Sequence, residues 1–213
     1  VIVYLGTVAG SGGLSKRFCT LGRMVEEKAR RAGRGGRERV LAAAADLFAR
    51  HGITGTTMEQ VAAAAPVSKR TLYLHFPDKD ELVVAYLRDL VRSGDTLHDV
   101  LTRADLPPRQ RLLAMFDLPD AEPVRGCLFV DAAAEYPDPD SAVHVYAREQ
   151  KLLMLRLVTD LVAELGAADP EGLAEQLVTL ADGAASRAMV LGDPKYGRHA
   201  RAAAEVLLEH ALG

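Results

Sequence analysis

The chain has 213 residues, 49% of them hydrophobic and 26% charged, with a net charge of −3, enough for one ordinary domain and a small one. Two cysteines, Cys19 and Cys127, are too few for a disulfide framework and suit a reducing, cytoplasmic setting, and no run approaches the roughly 20 apolar residues needed to cross a bilayer. The charge is uneven: residues 1–80 hold 13 Lys and Arg against 7 Asp and Glu, whereas residues 81–213 hold 13 against 22, so positive potential gathers on the N-terminal part and the two parts are expected to have different partners.

Residues 1–36 contain Gly10, Gly12, Gly13, Gly33, Gly35 and Gly36 and are expected to form a flexible tail. Its apolar opening, Val1 to Ala9, lacks a preceding basic region and a cleavage signal, so it reads as neither signal peptide nor anchor. The cations Lys28, Arg30, Arg31, Arg34 and Arg37 either form an arm that touches a nucleic-acid backbone or are simply solvated. A first helix is expected from Arg37 to Arg50, with Leu41, Ala44, Ala45 and Phe48 as its packing stripe and Gly52 closing it. A second opens at Thr56 or Thr57, where Glu59 or Gln60 completes a capping box, and shows Val61, Ala62 and Ala65 on one face. Pro66 ends it, since proline lacks an amide and disfavours helical geometry in Ala65.

Ser68 caps a third helix at once. Leu72 and Phe76, four apart, form its inward face and leave Lys69, Arg70 and Tyr73 outside. Two short helices with a tight break, the second presenting cations and hydroxyls, is the layout of a helix-turn-helix that meets a duplex. After Pro77, Asp78-Lys79-Asp80-Glu81 reads as a capped start to a fourth helix with Leu82, Tyr86, Leu87 and Leu90 on one face. Further helices are expected over 108–118, 126–136, 141–165, 170–191 and 194–211, with Asp169 as cap and Pro170 at the first position of the fourth of these. The fold class is therefore all-α, and no solenoid repeat is evident.

The segment from Arg37 to Leu87 resembles the DNA-binding domain of the tetracycline-repressor (TetR) family. The matching pieces are Arg50-His51-Gly52, Thr56-Thr57, Val61-Ala62, Val67-Ser68, Thr71-Leu72-Tyr73 and His75-Phe76, in order and at the family's spacing. Pro66 stands where the family usually has glycine, which can take a left-handed conformation in the turn; proline is not expected to reach positive φ. Arg70 stands where glycine is also frequent, adding a cation. The resemblance implies a tail over 1–36, a helix-turn-helix DNA-binding domain over 37–84 and an effector-binding and dimerisation domain over 85–213. Lys69 and Arg70 are expected to supply base or nearby phosphate contacts, Thr71 to share them, and Thr57, Ser68, Tyr73, His75 and Lys79 to hold the backbone. Ser68 is a cap in any case, and His75 either touches DNA or completes packing beside Phe76.

The resemblance further implies a homodimer through the last two helices on a palindromic operator of double-stranded DNA. Those helices are rich in small residues (Ala174, Ala181, Gly183, Ala184, Ala185, Ala188, Ala200, Ala202, Ala203, Ala204), which either meet a second copy or simply cover the core. The middle helices would enclose an unidentified small-molecule effector, with Met115, Phe116, Phe129, Tyr146 and Met154 as either pocket wall or plain core. Asp131 and Glu135, one turn apart, either meet a cationic ligand or form an exposed acidic face. Cys127 is either a thiol sensor or buried packing, and His144 and Arg187 line the cavity or the surface. Three classes remain in view. The first is a ligand-responsive transcription factor, usually a repressor. The second is an all-α enzyme, for which no metal-ligand pair, phosphate loop or Ser/His/Asp grouping is present, so no catalytic residue, metal or cofactor is expected. The third is a DNA-bound architectural or partner-binding module without an inducer, set apart by a solid regulatory domain.

Overall fold

The computed structural model describes residues 35–94, 96–118 and 126–213; the expected tail up to residue 34, with Cys19 and the cations from Lys28 to Arg34, lies outside the described residues. All the regular elements among the described residues are helices: α1 (Gly36–His51), α2 (Met58–Ala64), α3 (Lys69–His75), α4 (Lys79–Arg92), α5 (Leu97–Leu101), α6 (Pro108–Ala114), α7 (Leu128–Glu135), α8 (Ala142–Glu164), α9 (Pro170–Leu191) and α10 (Lys195–Leu212). Gly36 thus opens α1 rather than ending a tail. The chain divides into two compact units, one holding described residues 35–89 and 134–146, the other holding 90–133 and 147–213 outside the undescribed positions.

In the first unit the stripes of α1 to α4 converge on one core. Val40, Leu41, Ala44 and Phe48 of α1 are buried with Val61, Ala62, Leu72, Phe76, Leu82, Val83, Tyr86 and Leu87. Two expectations shift by a residue or more: Val40 replaces Ala45, and Val83 and Val84 are buried on α4 while Leu90 is only half-buried. The reason is that both helices are flanked on more than one side, which widens the apolar stripe beyond a single a/d seam. Phe48 and Tyr86 meet edge to face with ring centroids 5.3 Å apart, a favoured aromatic geometry. Gly52 ends α1 at φ 77°, its amide bonded to the Phe48 carbonyl, a conformation that a side chain would strain.

The second unit buries Leu112, Met115, Phe116, Met154, Val158, Leu177, Ala181, Ala185 and Leu208 in one cluster. α6 stops at Ala114 rather than Leu118, because the amides of Met115 and Phe116 turn back to the carbonyls of Leu112 and Leu113 and so wind both side chains into the core. α5 was not expected; its signal is Thr96, whose amide and hydroxyl both donate to Asp99, ahead of Leu97 and Leu101 one turn apart. α10 comes close to the turn after α6, where a Cβ on Gly197 would lie 2.3 Å from the Phe116 carbonyl oxygen. Arg201 locks that approach by donating to the Leu113 carbonyl at 3.1 Å and to Asp117 at 2.8 Å. Lys151 of α8 pairs with Asp182 of α9 at 2.5 Å. Asp169 caps α9 through the Gly172 amide, as expected, with Pro170 at the first position.

Candidate nucleic-acid interface

The helix pair α2 and α3 is built by its caps. The Thr57 hydroxyl accepts from the Gln60 amide at 3.2 Å and the Gln60 side chain accepts from the Thr57 amide at 2.7 Å, so the expected capping box is complete with Gln60 as its far member. Ser68 caps α3 by accepting from the Thr71 amide at 3.0 Å, and its hydroxyl pairs with that of Thr71 at 2.8 Å. Leu72 and Phe76 are fully buried. That anchoring turns Lys69, Arg70 and Tyr73 to the outside, and all three are exposed, Tyr73 at 42%.

Between these helices the turn departs from expectation. Pro66 adopts φ 23°, about 90° from the value its ring prefers. The Val67 amide reaches back to the Ala62 carbonyl at 3.3 Å, which is the longer of the two bonds of a Schellman closure. The shorter bond would come from the amide of residue 66, and proline has none. The family's left-handed turn is therefore kept despite the residue that opposes it, because the burial of Ala65 on one side and Leu72 on the other dictates the path between them.

The remaining expected contact residues differ in how free they are. Arg70 has no hydrogen-bond or ion-pair partner among the described residues. Lys69 reaches Glu59 at 3.2 Å in an exposed pair, and the Glu59 carboxyl is held below its usual range by a backbone amide and by Lys69. Thr71 is half-buried and lies with His75 against the first turn of α1, where a Cβ on Gly36 would come within 3.2 Å of both side chains. His75 remains exposed, its ring tilted beside Phe76 at 6.4 Å. Arg37 also faces Phe76, with its guanidinium 5.4 Å from the ring centre. Lys79 is half-buried, and its ammonium donates to the Thr54 carbonyl at 3.2 Å. Burial lowers its pKa, against the raising effect of Glu135 and Asp80.

Two further residues belong to this part of the structure: Leu74, which the sequence did not single out, and Glu135, for which it suggested another role. Leu74, on α3, is 79% exposed; the wheel position opposite Leu72 was the signal that would have found it. Glu135 is neither a ligand contact nor part of a solvated acidic face. Its carboxylate accepts from the Ile53 amide at 3.0 Å and from the Thr54 amide and hydroxyl at 2.5 and 2.6 Å, clamping the loop that leads into α2. Burial alone would raise the Glu135 pKa, but the bonds from Thr54 and Ile53 and the Lys79 charge outweigh it and hold it low. Beside it, burial first and then the negative charge of nearby Asp80 push the Tyr136 phenol well above its ordinary range. His144 pairs through Nδ1 with the Tyr136 carbonyl at 2.8 Å, and Arg88 lies over the Tyr146 ring at 5.3 Å. Residues 134–146 thus fold as part of the helix-turn-helix unit. No sequence signal marks a partnership across 81 positions.

The expected effector residues are divided. Met115, Phe116 and Met154 are packed into the core of the second unit, Phe129 is buried there too, and Tyr146 is half-buried in the other unit. Arg187 stacks its guanidinium on Tyr196 at 4.8 Å, and Cys127 is buried. An open apolar groove runs between α9 and α10 instead, lined by Thr179, Leu180, Ala203, Val206 and Leu207 with Glu175 and Gln176 at its edge. Among the described residues no cluster of His, Cys, Asp or Glu could hold a metal ion, and no helix is long and apolar enough to cross a membrane.

A capped helix-turn-helix whose second helix turns an arginine, a lysine and a tyrosine outward is the working surface of a DNA-binding transcriptional regulator. Residues 40–86 match the family of bacterial regulatory proteins, tetR family, and residues 109–204 match the tetracyclin repressor-like C-terminal domain. The HTH-type transcriptional regulator YjdC of Escherichia coli K12 is 32% identical over 160 residues, spanning 72% of this chain and 83% of that relative. The HTH-type regulator RutR of the same organism is 44% identical over 52 residues, 24% of either chain. Among solved structures, a TetR-type regulator from Streptomyces avermitilis superimposes with a TM-score of 0.74 at 33% identity, covering 84% of this chain and 98% of that one. A TetR-family regulator from Streptomyces coelicolor does so with a TM-score of 0.74 at 32% identity, covering 84% and 96%. The chain belongs to the TetR family, a family of DNA-binding transcriptional regulators rather than enzymes.

Proposed function

We propose that this regulator is a cytoplasmic, ligand-responsive repressor that binds a palindromic operator of double-stranded DNA as a homodimer. The observation that carries the DNA contact is the outward face of α3. There Arg70 is unpartnered among the described residues, Tyr73 is exposed and Lys69 is held only by a surface pair that a phosphate can replace. Arg70 and Lys69 reach bases or nearby phosphates with Thr71 beside them, and Thr57, Ser68, Tyr73 and His75 hold the backbone. Lys79 supplies the Thr54 carbonyl and, from the first turn of α4, a phosphate.

Dimerisation runs through α9 and α10. Most of their small residues, Ala174, Ala181, Ala185, Ala188 and Ala204 among them, are spent packing within the chain. The apolar groove left over is lined by Leu180, Leu207 and Val206, the last 64% exposed, a surface that a second copy would cover. The effector is an apolar small molecule that enters the cluster of Met115, Phe116 and Met154, with Phe129 in the same unit. Its binding favours a conformation in which the two heads no longer match the groove spacing.

Selection of bound DNA from a random pool, followed by affinity measurements over a salt series, tests the reading. The expected result is a palindromic site whose affinity falls steeply with salt, as phosphate contacts release counterions. A flat salt response or a pool without enrichment would overturn it. Compounds are then screened for release of the selected site.

A further inference from the structure

Leu74 is the most exposed of the large hydrophobic side chains among the described residues, at 79%, and it sits on the helix that faces DNA. With about 100° between successive residues, Arg70 lies about 160° and Leu74 about 200° around α3 from the buried Leu72. These two residues, one helical turn apart, therefore form the outermost line of the helix, with Tyr73 and Thr71 on its flanks. The line pairs a guanidinium with an alkyl group about 6 Å further along the axis.

We propose that Leu74 is a specificity-determining residue that packs on the C5-methyl group of a thymine in the major groove, within about two base steps of the base met by Arg70. The inference rests on the reading of α3 as the recognition helix and deepens it by naming the base. The major-groove edge of thymine carries an apolar methyl, and a leucine is the one side chain on this line without a polar atom. In the free protein the leucine is held in water because α3 has no spare neighbour: Leu72 and Phe76 consume the inward face. On DNA the same side chain loses its water against the methyl. Arg70 supplies the polar half of the pattern and Leu74 the apolar half.

The test uses the full chain and its selected operator. Each thymine is replaced singly by deoxyuridine, which removes only the methyl group and keeps base pairing. One position per half-site is expected to weaken the wild type by about four-fold per thymine, the value of one buried methyl-sized group. Leu74→Ala is expected to bind the thymine and deoxyuridine forms of that position equally, and its own selection from the random pool should lose the thymine there. Its salt slope should match the wild type, because no phosphate contact is removed. Indifference of the wild type to deoxyuridine at every position, or a Leu74→Ala variant as sensitive to it as the wild type, would overturn the proposal. A wild type that enriches no sequence at all would overturn the recognition-helix reading, and this assignment with it.

Discussion

Pro66 shows how a single residue can oppose the turn it occupies. It is held at φ 23° and cannot donate the second Schellman bond, so the break between α2 and α3 stores strain and leaves one closure bond unmade. Pro66→Gly should relieve both. Even after the extra entropy that glycine brings to the unfolded chain, a net gain of about 1–2 kcal/mol is expected in denaturant unfolding. A variant no more stable than the wild type would show that the turn carries no such strain. At the same scale Arg70 and Tyr73 should separate by kind of contact. Arg70→Ala is expected to relax preference at particular base pairs by about 1–3 kcal/mol, whereas Tyr73→Phe should weaken all sequences alike. Affinities over an operator library distinguish the two; an unchanged base preference in Arg70→Ala would remove it from direct readout.

Among elements, the telling one is the end of α7. Glu135 brings three hydrogen bonds to the loop ahead of α2, and Tyr136 next to it lies near Asp80 at the start of α4, so this short stretch reaches both flanks of the reading pair. Glu135→Ala should cost about 1 kcal/mol of stability, since the carboxylate is partly in water, and should speed amide exchange at Ile53 and Thr54. The pH dependence has a definite sign. The folded pKa of Glu135 is depressed, so its contribution is complete above the ordinary carboxylate value and is lost as pH falls through the lowered folded one. Unfolding curves of both proteins should therefore converge at acid pH; a gap independent of pH would mean that the carboxylate charge is not what holds the loop.

At the scale of the whole molecule, the proposed dimer interface is tested at Val206, which lines the groove between α9 and α10. A carboxylate placed there is costly to bury. Val206→Glu should sediment as a monomer with unchanged helix content, and its operator affinity should fall by roughly a hundredfold or more, because one head then binds without the effective concentration supplied by the other. A Val206→Glu dimer of normal affinity would place the interface elsewhere.

Much of this was legible from residues alone wherever the determining forces act within about one turn of helix. Ser68, the Thr57–Gln60 box, Asp169 with Pro170 and the Leu72–Phe76 spacing specify their helices through caps and periodicity, and the same spacing turns Lys69, Arg70 and Tyr73 outward. The tertiary structure alone decided the rest: the path through Pro66, the destination of the Glu135 carboxylate, the packing of Met115 and Phe116 into core, and which alanines of α9 and α10 stay inside the chain. Each depends on groups brought together from distant positions. Short-range propensity cannot encode that, because the burial that selects among partners exists only once the chain has folded.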